Sequence, residues 1–506
     1  MRASSIMIVG TSSDVGKSVL CTALCRIFSN EGYRVAPFKS QNMALNSYVT
    51  SKGEEIGRAQ GVQAEAARVE PTTTMNPILL KPKHEMVSEV IVHGKPYKAM
   101  KATTYREDFA MNALSIVEQS IRELENSYDL IVAEGAGSPV EINLKDRDIV
   151  NMRVAKMLDA DVFLVADIDR GGVFASIVGT LDLLDEDERK LVKGIIINKF
   201  RGMRELLDDG IKWLEEKTGI PVVGVIPYLD IEIEAEDSLA LESLKLKSPK
   251  NHESLIDVAC IQLPRIANFT DLDPLFNEPE VGVRFIKNKN ELKQPDVIVL
   301  PSTENPMDDI KWLEQTGIMD EIKRCYEKGS KIFGIGGGYQ LLGQSLIDPN
   351  NEEISGLSLL PIETIFTNEN HASKIKGKIN SDLFQHEIFV EGYELYLGTS
   401  KLRSNSEVQP FLYVKDGSVE GLVVEQGKII GTYLHGIFQN RSFTRAYFNE
   451  IRLLKGVKPL SMEVESESER REKAYDILAK HVRKYLDMDY VYSILDEQKK
   501  VKGSLS

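Results

Sequence analysis

Between the apolar run Ser5-Ile-Met-Ile-Val-Gly10 and the helically periodic stretch 19–28 lies Gly10-Thr-Ser-Ser-Asp-Val-Gly16-Lys17-Ser18. A short apolar run closed by glycine predicts a buried strand, and the 3.6-residue spacing after it predicts a helix, so the motif is a strand–loop–helix turn. Small residues let backbone N–H groups wrap phosphates, and the helix N-terminus adds positive potential. Lys17 can then bridge outer phosphates and Ser18 can hold Mg²⁺. Gly10, Thr11, Asp14, Gly16, Lys17 and Ser18 are the candidate nucleotide-binding residues. Five residues separate the two glycines, one more than the usual P-loop formula allows.

Such a loop belongs in a parallel α/β sheet, and the chain continues accordingly. Strand-like runs recur at 130–133, 162–166, 194–197 and 222–226, separated by helical spacing, which predicts a doubly wound sheet. The run Asp129-Leu-Ile-Val-Ala-Glu134 ends in a carboxylate beside small residues, where a Mg²⁺ ligand would sit in such a sheet. Asn198 closes another strand at the same edge, and its amide can hydrogen-bond a nucleotide base. Beyond Pro227 an acidic and then Lys- and Ser-rich stretch reads as a linker, followed by a second α/β alternation from Leu255. The expected division is therefore a nucleotide-binding domain at 1–228, a linker at 229–254, a second α/β domain at 255–445 and a helical C-terminal tail at 446–506. Within the tail, the charged run 463–473 reads as a solvated helix face.

A chain of 506 residues is too long for one core, and 42% apolar with 27% charged residues is ordinary for a folded protein. The net charge of −15 argues against a broad nucleic-acid surface, so an anionic ligand must be met by a local site. Cys21, Cys25, Cys260 and Cys325 form no CxxC pair, which signals neither zinc nor a disulfide framework and fits a reducing cytosol. No apolar run approaches a membrane span or a signal-peptide core, so a cytoplasmic location without membrane attachment is expected.

Several segments together resemble the cobyric acid synthase family of glutamine-dependent amidases. They are the loop above, Lys39-Ser-Gln-Asn-Met-Ala-Leu-Asn-Ser-Tyr48, Glu55-Ile-Gly-Arg-Ala-Gln60, Met75-Asn-Pro-Ile-Leu-Leu-Lys-Pro82, Asn143-Leu-Lys-Asp-Arg-Asp-Ile-Val-Asn151, Asp167-Ile-Asp-Arg-Gly-Gly-Val-Phe-Ala175, Asn198-Lys-Phe-Arg-Gly202 and Pro264-Arg-Ile-Ala-Asn-Phe-Thr-Asp271. The resemblance implies a synthetase domain of the dethiobiotin-synthetase type, which shares the five-residue P-loop spacing. It implies ATP and Mg²⁺, with Glu134 and Glu55 completing the metal sphere begun by Ser18 and with Asn198 reading adenine. The implied substrate is adenosylcobyrinic acid a,c-diamide, whose b, d, e and g carboxylates are phosphorylated and then amidated. Ser40 to Tyr48 and the pair Asp146 and Asp148 would face the substrate, the pair orienting ammonia or a corrin side chain.

The second domain resembles a class I glutamine amidotransferase, in which a sharp turn exposes a cysteine nucleophile. The family pattern Gly-Ile-Cys-Gly-Gly-Tyr-Gln meets Gly334-Ile-Gly336-Gly-Gly-Tyr-Gln340 here, so glycine stands at the nucleophile position. The histidine base is matched by His435. Tyr396 stands where the family has histidine, and Pro301-Ser-Thr-Glu-Asn-Pro306 departs from a Pro-Gly-Ser-Lys-Asn-Thr pattern. The expectation is an amide synthetase whose fused glutaminase is impaired, supplied by free ammonia or by a separate glutaminase rather than by its own glutamine hydrolysis. Three rivals remain: an amidase of another tetrapyrrole carboxylate, a P-loop switch ATPase, which shares the longer loop, and a regulatory pseudoenzyme that binds a corrinoid.

Overall fold

The computed structural model describes residues 2–84, 87–101, 110–143, 145, 148–231, 254–403 and 408–504. The chain divides into two units. One comprises Met1–Ala44, Glu55–Glu234 and Arg470–Ser506, the other Leu45–Glu54 and Ala235–Glu469. Of the expected linker, residues 232–253 lie outside the described residues.

The first unit is built on a six-stranded sheet among the described residues. Its order is Val222–Pro227, Val192–Phe200, Asp161–Asp167, Ser4–Gly10, Leu130–Glu134, Val35–Phe38, and every neighbouring pair is parallel. Side chains alternate across a strand, so Ile6 and Ile8 of Ser4–Gly10 enter one core while Met7 and Val9 enter the other. The Met7 face is covered by the helices Ala110–Ser127, Met152–Leu158 and Val173–Leu183. The Ile6 face is covered by Lys17–Asn30 together with Leu478, Ala479, Val482, Val491, Ile494 and Leu495 near the C-terminus. The stretch expected to be a tail is thus divided, and its last part supplies a share of one of this unit's two cores. The charged run also departs from the expectation of a purely solvated face. Arg26, fully buried in Lys17–Asn30, is paired with Glu472 at 2.6 Å and Asp476 at 2.8 Å, because a buried guanidinium must be neutralised.

In the second unit Val281–Ile286, Ile256–Ile261, Val297–Leu300, Lys331–Ile335 and Ile429–Thr432 run parallel in that order. Antiparallel Val419–Val424 and Gln409–Val414 extend the sheet into the long pair Ile362–Ile379 and Phe389–Leu402. Pro306–Gln315 and Ile318–Glu327 pack on one face, Arg441–Leu454 on the other. Both units are α/β, as the alternation of apolar runs and helical spacing predicts.

Candidate functional site

In the first unit the parallel register brings strand ends to one edge: Ile8 lies opposite Glu134, Gly10 opposite Val165 and Asp167 opposite Asn198. Ser4–Gly10 has later strands on both sides, which makes the crevice beyond it the natural ligand position of a doubly wound sheet. The loop closes there. Thr11 N–H donates to Val165 O at 2.9 Å, and Lys17 Nζ donates to Ser12 O and Gly137 O at 2.9 and 3.1 Å. Gly16 has φ +101°, and a Cβ on it would lie 2.1 Å from Asn198 Nδ2, so glycine is required on both counts. Asn198 Nδ2 donates to Val15 O at 2.8 Å, placing that amide against the loop backbone. Asp14 also has positive φ; its carbonyl accepts from Lys199 Nζ at 2.5 Å and its carboxylate faces Arg170 at 3.5 Å.

Glu134 is the centre of the arrangement. Ser18 Oγ donates to its Oε1 at 2.8 Å, Lys39 Nζ to the same oxygen at 3.0 Å, and Gln63 Nε2 to Oε2 at 2.6 Å. Burial pushes the carboxyl up, but the Lys39 ammonium and these three hydrogen bonds outweigh it and hold Glu134 below the usual carboxylate range. The result is an ionised, water-shielded carboxylate touching the first helical hydroxyl of a phosphate cradle. Among the described residues no cluster of three or more His, Cys, Asp or Glu side chains forms a metal cage. A serine hydroxyl and a single carboxylate suit Mg²⁺, which keeps water and phosphate oxygens as its other ligands. Glu55, also buried, forms an ion pair with Lys81 at 2.9 Å. Asp146 lies outside the described residues. Asp148 accepts from Val150 N–H and Asn151 N–H, both at 2.9 Å, and Asn151 in turn holds Ala136, so Asp148 acts through the loop after Glu134.

The second unit holds a different constellation. The strand Lys331–Ile335 turns at Gly336 (φ +55°, ψ −119°) into the short helix Gly337–Leu341. This is the backbone of a nucleophile elbow, a conformation an L-residue adopts only under strain. A Cβ built on Gly336 would lie 3.0 Å from His435 Nε2. His435 is fully buried, its Nδ1 lies 2.7 Å from Asp271 Oδ2, its ring stacks on Tyr393, and its Nε2 has no hydrogen-bond partner among the described residues. Asp271 also accepts from Gly436 N–H at 2.8 Å. Tyr396 stacks between His371 and Tyr433. In the altered segment, Asn305 caps the helix Pro306–Gln315 by accepting from Asp308 N–H. Cys260 is buried in a sheet strand, and Cys325 lies in Ile318–Glu327 with its Sγ 3.1 Å from Lys293 O; burial raises both thiols, so neither offers a thiolate near His435.

Comparisons with known proteins fit this division. Residues 6–240 match the CobQ/CobB/MinD/ParA nucleotide binding domain, and residues 257–443 match the CobB/CobQ-like glutamine amidotransferase domain. The cobyric acid synthase of Anoxybacillus flavithermus is 48% identical over 494 residues, 96% of each chain. Those of a Nostoc species (48% identical, covering 96% of this chain and 99% of that one) and a Geobacillus species (47% identical, 97% of each) are similarly close. The chain belongs to the cobyric acid synthase family.

Within this cobyric acid synthase family member, three contacts of the two sites escaped the motif reading. Lys39 and Gln63 reach Glu134 from distant parts of the chain, and Asp271 reaches His435 across the second unit. Lys39 and Asp271 both fall inside segments that carry the family resemblance. Glu420 is buried and accepts from Thr432 Oγ1 at 2.6 Å and Tyr433 N–H at 2.5 Å. Burial pushes its carboxyl up to about 8 despite those hydrogen bonds. The folded state therefore keeps a proton that the unfolded chain releases in the ordinary carboxylate range, so stability falls as pH rises from about 5 to about 8. Glu420→Gln carries no titrating proton and is expected to flatten this slope by a few kcal/mol, on the order of the shift itself. Thermal unfolding of both proteins across that range checks it.

Proposed function

We propose that the chain catalyses ATP-dependent amidation of the b, d, e and g carboxylates of adenosylcobyrinic acid a,c-diamide, giving adenosylcobyric acid, with free ammonia as the nitrogen source. The observation that carries the reading is the Lys17–Ser18–Glu134 arrangement at the sheet edge, in a chain that matches cobyric acid synthases along almost its whole length. A carboxylate resists attack by an amine because its charge repels electrons and its leaving group would be oxide. In the proposed reaction a substrate carboxylate oxygen attacks the γ-phosphorus of ATP, the bond to the β-phosphate oxygen breaks, and ADP leaves. Ammonia then attacks the acyl carbon, phosphate departs with its bonding electrons, and the nitrogen loses a proton to give the amide.

This chain's residues act on charge and position. Backbone N–H groups of the 10–18 loop and Lys17 neutralise the phosphates, and Asn198, braced on Val15, offers its amide oxygen to an adenine amino group. Ser18 and Glu134 would hold Mg²⁺, which supplies further charge neutralisation; in this reading Glu55 joins them by sharing its ion pair with Lys81. Lys39 keeps Glu134 ionised. Gly336 stands in place of a cysteine nucleophile, so His435 has no thiol to deprotonate.

The test is amide formation by purified protein with ATP, Mg²⁺ and the corrinoid, comparing ammonium with glutamine. Ammonium is expected to support turnover, and glutamine at least about a thousandfold less, the scale of losing a nucleophile. Efficient glutamine-dependent turnover without a partner overturns the impaired-glutaminase reading, and steady ATP hydrolysis without any acid substrate overturns the synthetase reading.

A further inference from the structure

The elbow at Gly336 is not simply vacant. A Cβ on Gly336 would meet Ser302 Oγ at 2.6 Å, closer than a Cβ approaches a nonbonded atom, so the Ser302 hydroxyl as placed stands in the volume that a side chain at the elbow needs. The same hydroxyl accepts from Gly337 N–H at 3.3 Å. Gly337 follows the elbow, and the N–H after a nucleophile is the group an acyl-transfer site aims at the developing oxyanion. Ser302 is buried, 5% exposed, and its backbone is held where its carbonyl accepts from Ala267 N–H at 2.9 Å. Around it the remaining parts stand ready, with His435 oriented by Asp271 and its Nε2 lacking a hydrogen-bond partner among the described residues.

We infer that Ser302 is a built-in plug of the amidotransferase-like site, occupying both the side-chain volume at the elbow and the oxyanion donor, so that the site is closed by two residues rather than one. The inference rests on the reading of Gly336 as the emptied nucleophile position.

The reaction that reads the plug is glutamine hydrolysis. A thiolate at position 336 attacks the γ-carbonyl, the C–N bond breaks as ammonia leaves with a proton from His435, and water then cleaves the thioester to glutamate and free thiol. Gly336→Cys alone would place its Cβ against the Ser302 hydroxyl and leave Gly337 N–H engaged. Gly336→Cys with Ser302→Gly clears both.

Glutamate release is measured for full-length wild type, Gly336→Cys, Ser302→Gly and the double variant, with ammonium-dependent synthesis and thermal unfolding as controls of folding. Wild type and Ser302→Gly are expected at background. Gly336→Cys is expected close to background, and the double variant at least about a hundredfold above it, the scale of regaining one oxyanion donor. Gly336→Cys/Ser302→Ala, which keeps a Cβ but removes the hydroxyl, is expected to gain activity over Gly336→Cys and guards against a misfolded glycine variant. Full activity of Gly336→Cys alone, or background activity of both folded double variants, overturns the plug and leaves the ammonia reading standing. Glutamate release by wild type instead overturns the ammonia reading, and its loss in Ser302→Ala would make Ser302 a nucleophile rather than a plug.

Discussion

Replacing Lys17 by alanine is expected to lower ammonium-dependent amide synthesis by about three orders of magnitude, the scale of removing a charge that stabilises a transferring phosphoryl group. In the protein its ammonium is held by the carbonyl of Ser12 in the phosphate loop and that of Gly137 in the segment after Leu130–Glu134. Those bonds fix the head group at the mouth of the loop but bury little apolar surface, so the melting temperature is expected to stay within a few degrees. A loss of kcat with preserved folding identifies a role in the reaction. A drop of less than tenfold would remove Lys17 from phosphate handling and with it the main support for the loop as a nucleotide site.

Glu134→Gln is expected to act on stability and activity together. The carboxylate is buried with Lys39, and removing one partner of such a pair leaves an uncompensated charge, costing about 3–5 kcal/mol. Activity should fall by at least about a hundredfold with a raised Mg²⁺ requirement, because the hydroxyl of Ser18 would lose its charged neighbour. The two effects separate in Glu134→Gln/Lys39→Met, which removes both charges: stability is expected to recover while synthesis does not. Recovery of synthesis in the double variant would show that Glu134 serves only to neutralise Lys39. The lowered pKa has a further sign: the ion pair contributes stability above the ordinary carboxylate range, and that contribution is lost as pH falls through the depressed value.

The phosphate loop was legible because its chemistry is local: a strand, a run of small residues and a helix adjoin in sequence, and their order alone places Lys17 and Ser18. Glu134 was legible for a related reason, since a strand's last residue in a parallel sheet has a predictable edge. Lys39, Gln63 and Asp271 were not, because each acts on a partner that only the folded sheet brings near. The Ser302 change was visible as a departure from a pattern, yet its effect depends on a 2.6 Å approach across two loops that no spacing expresses. Arg26 shows the same boundary in the core: its helix was predictable, whereas the carboxylates that neutralise it come from the far end of the chain.

That distant pairing bears on how the polypeptide is made. Leu478, Val482, Val491 and Leu495 complete the Ile6 face of the first sheet, and Glu472 and Asp476 neutralise Arg26. Synthesised from the N-terminus, the first strands and Lys17–Asn30 leave the ribosome early but lack part of one wall of their core until the C-terminal helices emerge. The second unit, inserted between these halves, can complete its core first. The first unit is therefore the later of the two to mature, although its first strands precede the second unit in the chain, and nascent chains paused before residue 470 are expected to expose that apolar face to chaperones.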